Sequence, residues 1–272
     1  MDWKRLGLAA AAVATMGAAP APQSETMAEP PIARAGAPGV TGYLGAAMPD
    51  TYKILPPAPV AGTVRYETDR TAYKATRALE NTPRWALAQD DADQRNILHG
   101  MACALGVELS PANAPTVVKM LGRLQMDDKQ AVDRSKDIYK RKRPFLIDEG
   151  PTCVEKTASL AASPDYPSGH NTWGWSVALI LAELAPDRAT EILARGRAFG
   201  EGRVICGVHN LSAAEAGRTN ASIVVAALHA NAEFLKDMTV ARKEIDAARK
   251  AGPAPAAGFC AKETEAMTVS PY

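Results

Sequence analysis

Apolar positions recur at helical spacing from Val64 onward, and no stretch alternates apolar and polar residues as a half-buried strand would. The pattern predicts an all-α fold, a single helical-bundle domain. Thr68 to Leu79 is the first expected helix. Thr82-Pro83 opens another, with proline at the first helical position, where its missing N–H is no loss. Asp93 to Leu105 brings Ile97, Met101 and Ala104 to one side. Ser110-Pro111 is a cap-plus-proline start for a helix through Val117, Val118, Leu121 and Leu124. Asp127 to Lys142 reads as a separate charged helix ended by Pro144. Gly169 to Leu184 is strongly apolar, Pro186-Asp187 opens a helix to about Phe199, and residues 207–249 make one or two long helices. The chain from Gly252 reads as irregular, and no repeat or heptad runs through it.

Outside the helices the composition changes. Lys4 and Arg5, the apolar run Leu6 to Ala19 and the small-x-small site Ala19-Pro20-Ala21 form a secretory signal, too short to span a bilayer as a stable anchor. Thr26-Met27-Ala28 is a second cleavage candidate. The expected division is a signal peptide at 1–21, a Pro/Ala-rich leader and extended arm at 22–62, a helical domain at 63–262 and a tail at 263–272. Cys103, Cys153, Cys206 and Cys260 fit an exported, periplasmic chain with two disulfides, and three pairings are open. None has zinc-site spacing. The net charge of +1 gives no field to draw nucleic acid or an anionic membrane. The most apolar segment, Val177 to Leu184, has the length of a core helix.

Against this plain background three clusters stand out. Lys136, Lys140 and Arg143 recur at i, i+4, i+7 and would share a helix face, with Lys136 and Arg143 about 10 Å apart along the axis. Two such cations can lean onto one phosphate, Arg as a fork and Lys as a point charge. Pro167-Ser168-Gly169-His170 precedes the apolar helix. Ser168 can cap that helix, and the free N–H groups at its start, with Gly169 allowing close approach, suit an anion beside His170. Arg203 adds a third cation, and His209 follows six positions later at the expected start of the next helix. His99 and His229 have no cationic partners at useful spacing and read as packing or surface residues.

Together these motifs resemble the signature of the phosphatidic-acid-phosphatase type 2 and haloperoxidase superfamily: Lys-x6-Arg-Pro, then Pro-Ser-Gly-His, then Ser-Arg-x5-His-x3-Asp. Within it the chain looks like the class A bacterial nonspecific acid phosphatases, from about Tyr43 to Cys260, including Arg77-Ala78-Leu79, Pro83-Arg84-Trp85 and Met101 to Gly106. The resemblance implies a helical periplasmic phosphomonoesterase acting on phosphate monoesters with no cofactor and no metal. His209 would be the nucleophile that forms a phosphohistidine, and His170 the acid that protonates the leaving alcohol. Lys136, Arg143, Ser168, Gly169 and Arg203 would bind phosphate. Nucleic-acid partners and a membrane anchor are not expected; a homo-oligomer is compatible with the sequence.

Two positions depart from the signature. Gly202 replaces the serine before Arg203, and Ala213 replaces the aspartate four residues after His209. That carboxylate would hold the nucleophile's tautomer and stabilise its cation, like the third member of a serine-protease triad. Glu215 points elsewhere on a helix, and Ser212 offers only a neutral hydrogen bond. The expectation is therefore an impaired phosphatase that Ala213→Asp would speed up, unless a residue distant in sequence supplies the carboxylate. The alternatives are a catalytically weak or inactive phosphate-binding homologue and, less in keeping with the chain length, a vanadate haloperoxidase.

Overall fold

The computed structural model describes residues 39–269; the expected signal peptide at 1–21 and residues 22–38 of the expected leader lie outside them. Eleven α-helices and no strand occur among the described residues. In chain order they are α1 (Thr51–Ile54), α2 (Val64–Thr76), α3 (Pro83–Asp90), α4 (Ile97–Leu105), α5 (Pro115–Tyr139), α6 (Ala158–Ala162), α7 (Gly169–Leu184), α8 (Ala189–Ile205), α9 (Leu211–Leu228), α10 (Ala232–Ala251) and α11 (Ala257–Met267).

The central element is α7, which packs most extensively against α8 and α9. Its Trp173, Val177, Ile180 and Leu181 join Ile97 and Met101 of α4, Met120 and Leu124 of α5, Val224 of α9 and Phe234 of α10 in one buried core. Small residues let the axes approach. A Cβ on Gly196 of α8 would lie 2.2 Å from the Cβ of Ala178 in α7. One on Gly200 would lie 2.0 Å from Asn171 Oδ1. Apolar burial at roughly 25 cal/mol per Å² drives this packing, and it fixes where α7 begins relative to α8 and α9.

Three expected elements come out differently. The segments starting at Ser110 and Asp127 form one continuous helix, α5, because nothing between Leu124 and Asp127 breaks the hydrogen-bond ladder. It starts at Pro115, since Ser110 to Asn113 closes a turn in which Ser110 N–H donates to Asn113 Oδ1 at 2.8 Å. It also ends early, at Tyr139, with Lys140 in the left-handed conformation at φ 44°. Arg143 therefore lies beyond the helix on extended backbone, and the expected shared face of Lys136, Lys140 and Arg143 does not exist. Finally, the chain after Gly252 forms α11, tied down by Cys260 and by a buried ion pair from Glu263 to Arg195 at 2.6 Å.

The disulfides are Cys103–Cys260 and Cys153–Cys206. The second joins the long loop after Arg143 to the C-terminal end of α8, and it sits in a small buried cluster with Trp85, Ala88, Ile205 and Val208. The N-terminal arm is pinned to the bundle. Tyr43 Oη donates to Asp237 at 2.6 Å, and the N–H groups of Tyr43 and Leu44 donate to Asp127 at 2.8 and 3.0 Å. Tyr166 Oη holds the Pro56 carbonyl at 2.7 Å.

Candidate active site

The start of α7, the end of α8 and the loop on either side of Arg143 meet at one end of the bundle. Ser168 is the N-cap of α7, its Oγ accepting from Asn171 N–H. Asn171 Nδ2 braces the same oxygen at 3.1 Å and reaches the Gly200 carbonyl of α8 at 3.1 Å. The Ser168 N–H is spent on the Ala213 carbonyl at 3.0 Å, so Ser168 has only its hydroxyl proton to offer a ligand. The first amides of α7, beginning at Gly169, follow at the positive end of the helix.

Lys136 reaches this place from the last turn of α5, where its Nζ lies 3.4 Å from Ser163 Oγ. Arg143 reaches it from the extended backbone after Lys140. Its Nε donates to the Ser163 carbonyl at 2.7 Å and its Nη1 to the Val208 carbonyl at 2.7 Å, while Nη2 shares Ser163 Oγ at 3.2 Å. Two neutral carbonyls thus aim the guanidinium without cancelling its charge. Arg203, near the C-terminal end of α8, is buried with Nε and Nη1 unpartnered. Burial and the neighbouring Arg143 push Arg203 down to about 10, with Asp91 opposing. Burial and Arg143 likewise push Lys136 down to about 8, against Asp165 and Asp133. Three crowded, desolvated cations would all be relieved by one bound anion.

Both histidines belong to this cluster. His170 stacks on Phe199 with centroids 4.4 Å apart and an 11° interplanar angle. Its Nε2 has no partner, and its other nitrogen is held by the Asp91 backbone. Burial, then Arg203 and His209, lower its pKa well below the ordinary value. His209 is not at the start of a helix. It sits in the turn before α9, after Gly207 at φ 76°, where a Cβ would lie 2.5 Å from the Arg77 guanidinium. Burial and Arg143 lower His209 to about 3, against the pull of Asp165. Its Nε2 lies 3.1 Å from Arg143 Nη1.

A residue that sequence reasoning missed completes the picture: Asp165 Oδ1 lies 3.0 Å from His209 Nδ1. Burial raises the Asp165 carboxyl, but His209, Arg141 and Asn210 together hold it below the ordinary value. A carboxylate at Nδ1 keeps the proton there and leaves Nε2 with its lone pair. The only available signal was an acid two residues before the Pro167-Ser168-Gly169-His170 motif. The structure accordingly brings together all seven residues singled out from the sequence: Lys136, Arg143, Ser168, Gly169, His170, Arg203 and His209. Lys140 and Lys142 are exposed. His99 and His229 lie away from it, partly exposed against Glu108 and Glu183.

Comparison with known proteins agrees with this geometry. A family model for the PAP2 superfamily matches residues 120–235, the stretch that carries every one of these side chains. The acid phosphatase of Zymomonas mobilis subsp. mobilis is 41% identical over 220 residues, covering 80% of this chain and 83% of that protein. The non-specific acid phosphatase of Providencia stuartii is 37% identical over 205 residues, 74% of this chain and 83% of that one. That of Salmonella typhimurium is 36% identical over 196 residues, 71% and 78%. The chain belongs to the acid phosphatases of the PAP2 superfamily. Among the described residues no helix is long and apolar enough to cross a membrane, and no group of three His, Cys, Asp or Glu is placed to hold a metal.

The two departures from the superfamily signature have different structural settings. A Cβ on Gly202 would meet Ala88 at 3.5 Å, an ordinary contact, so the site does not demand glycine there. Ala213 is fully buried against Leu55, Tyr166 and Ala216. Because His209 precedes α9, the helical i, i+4 relation expected between 209 and 213 is absent.

Proposed function

We propose that this chain is a periplasmic acid phosphatase that hydrolyses phosphate monoesters through a phosphohistidine on His209. The observation that carries the reading is the meeting of half-buried Lys136 with buried Arg143 and Arg203, with no carboxylate among the described residues paired to any of them, in front of the Nε2 of His209. Phosphoryl transfer needs mainly positioning and charge neutralisation, and this arrangement supplies both. The three cations hold the phosphate oxygens, with the Ser168 hydroxyl and the Gly169 N–H. The Arg143 Nη1 beside Nε2 sets a bound phosphorus against the attacking nitrogen.

His209 Nε2 forms the P–N bond as the P–O bond to the alcohol breaks. The departing oxygen takes the proton of His170, whose protonated form is favoured once an anionic phosphate offsets Arg203. In the second half, water attacks phosphorus, His170 takes back a proton, and the P–N bond breaks to release inorganic phosphate. Covalent catalysis divides one difficult displacement into two.

Export is supported by the two disulfides, which persist in oxidising compartments. The signal itself, residues 1–21, lies outside the described residues. The decisive assay is hydrolysis of p-nitrophenyl phosphate at acid pH. Turnover is expected, with inhibition by vanadate, whose five-coordinate form mimics the transition state, and no loss with EDTA. Phosphate binding without turnover would make the chain a phosphate-binding homologue. Loss to EDTA restored by zinc or magnesium would require a different mechanism.

A further inference from the structure

We infer that Asp165 is the positioning carboxylate of His209, taking over the place that the superfamily signature gives to the residue at 213. The inference deepens the reading above and rests on His209 as nucleophile.

Its first support is direct geometry. Asp165 is completely buried, and its Oδ1 lies 3.0 Å from His209 Nδ1. The same oxygen accepts the Asn210 N–H at 3.1 Å, and Oδ2 accepts from Asn210 Nδ2 at 2.7 Å. One carboxylate therefore grips both the ring and the peptide that follows it. Arg141 Nη1 stands 3.3 Å from Oδ2 and keeps the group ionised in an apolar surrounding. Arg141 is anchored in turn: its Nη2 donates to Asp69 at 2.6 Å and its Nη1 to Ser212 Oγ at 2.8 Å. Asp69 accepts both the N–H and the hydroxyl of Ser212 at 2.8 and 2.6 Å. Arg70 bonds Asn210 from the far side.

The second support is what stands at 213. A methyl group is there, sealed among Leu55, Tyr166 and Ala216, and the Ala213 carbonyl is committed to the Ser168 N–H. No charge is missing from the ring of His209; it arrives from the loop before α7 instead of from α9. A carboxylate added at 213 would enter a dry apolar cluster, next to Tyr166 and hence next in sequence to an ionised Asp165. The gain in rate expected from the sequence for Ala213→Asp is thereby replaced by an expected loss.

Chemically, attack turns neutral His209 into an N-phosphorylated imidazolium. The Nδ1 proton stays on the ring, the P–O bond electrons leave with the alcohol oxygen, and that oxygen receives the His170 proton. Asp165 changes no bond in this step. It holds the tautomer and offsets the positive charge that forms.

The test is Asp165→Asn, followed by steady-state rates and by trapping of radiolabelled phosphate as an alkali-stable, acid-labile adduct on histidine. The amide keeps the shape and loses the charge. kcat is expected to fall on the order of 10²–10⁴-fold, as when the carboxylate of a catalytic triad is neutralised, with inhibition by inorganic phosphate nearly unchanged. Asp165→Glu is expected to recover part of the loss, and Ala213→Asp alone to lower turnover. Wild-type turnover in Asp165→Asn, or faster turnover in Ala213→Asp, overturns the inference. If Asp165→Asn does not fold, a nitrogen-edited proton spectrum of the vanadate-bound wild type decides. A slowly exchanging, far-downfield Nδ1–H on His209 is expected, and its absence overturns the assignment. Failure of the wild type to trap phosphate on His209 would overturn the parent reading. Equal trapping rates in wild type and Asp165→Asn would overturn this one alone.

Discussion

Helix α8 carries two buried arginines eight residues apart, Arg195 and Arg203, and they live in opposite electrostatic worlds. Arg195 is saturated. Its Nη1 and Nη2 meet Asp91 at 2.9 and 2.6 Å, its Nε meets Glu263 at 2.6 Å, and these carboxylates outweigh burial to raise its pKa. Arg203 faces Arg143 with two unpartnered nitrogens, and its pKa falls to about 10. The first arginine is held by the protein's own anions; the second has no carboxylate partner among the described residues, and in the proposed function the substrate phosphate supplies one. A buried cation is therefore informative only when its partners are counted. Saturation marks architecture, here the docking of α11 onto the bundle, and an unpaired buried cation marks a candidate ligand site.

The sharpest break of this comparison is to remove each side chain. Arg203→Ala should cost on the order of 10²–10³ in kcat, the scale for losing one preorganised transition-state donor, while leaving thermal stability equal or slightly higher, because a desolvated unpaired charge is gone. Arg195→Met should do the reverse. It strands Asp91 and Glu263, costs about 3–5 kcal/mol, and lowers Tm on the order of 10 °C, with a far smaller loss of turnover below the transition. Steady-state kinetics and calorimetry on both variants decide. Equal rate losses, or a Tm drop confined to Arg203→Ala, would dissolve the distinction.

The pH profile sharpens it further. In the proposed mechanism His170 must be protonated to donate, and burial with Arg203 and His209 lowers its pKa well below the ordinary value. Activity per free enzyme, kcat/KM, is therefore expected to fall as pH rises through that depressed value. Bound phosphate offsets Arg203 and favours the imidazolium, so the alkaline limb of kcat should lie at higher pH. His209 stays neutral down to about 3 and sets no limit in between. Coincident limbs would mean that phosphate does not reach His170. A limb at about 8 would transfer the titration to Lys136. The smallest expected effect is that of Gly202→Ser. The added Cβ meets only Ala88 at an ordinary distance, so stability and kcat should stay close to wild type; a large gain in kcat would show that the missing hydroxyl contact matters.

Much of the candidate site was readable in order along the chain, because its motifs are local. Ser168 caps the helix that carries His170, and the turn at Cys206 and Gly207, just after Arg203 at the end of α8, delivers His209; both are short-range consequences of sequence. The reading failed where the backbone left the regular path. An i, i+4, i+7 face was expected for Lys136, Lys140 and Arg143, yet Lys140 adopts the left-handed conformation and Arg143 returns on extended chain. The i, i+4 spacing of 209 and 213 predicts one shared helix face, yet the helix begins at Leu211.

What the sequence determined by itself is the all-helical class, the apolar α7 bounded from Gly169 to Leu184, and the residue types proposed to bind and transfer phosphate, since periodicity and capping act over a few neighbours. Only the tertiary structure decided which cysteines pair, which arginine is neutralised by Asp91 and Glu263, and that Asp165, 44 positions before His209, meets its Nδ1. The Cys153 and Asp165 contacts depend on the path of the segment from Arg143 to Ser168, and the Cys260 and Glu263 contacts on where α11 docks. No local pattern encodes that path, because it is set by the packing of helices far apart in the chain.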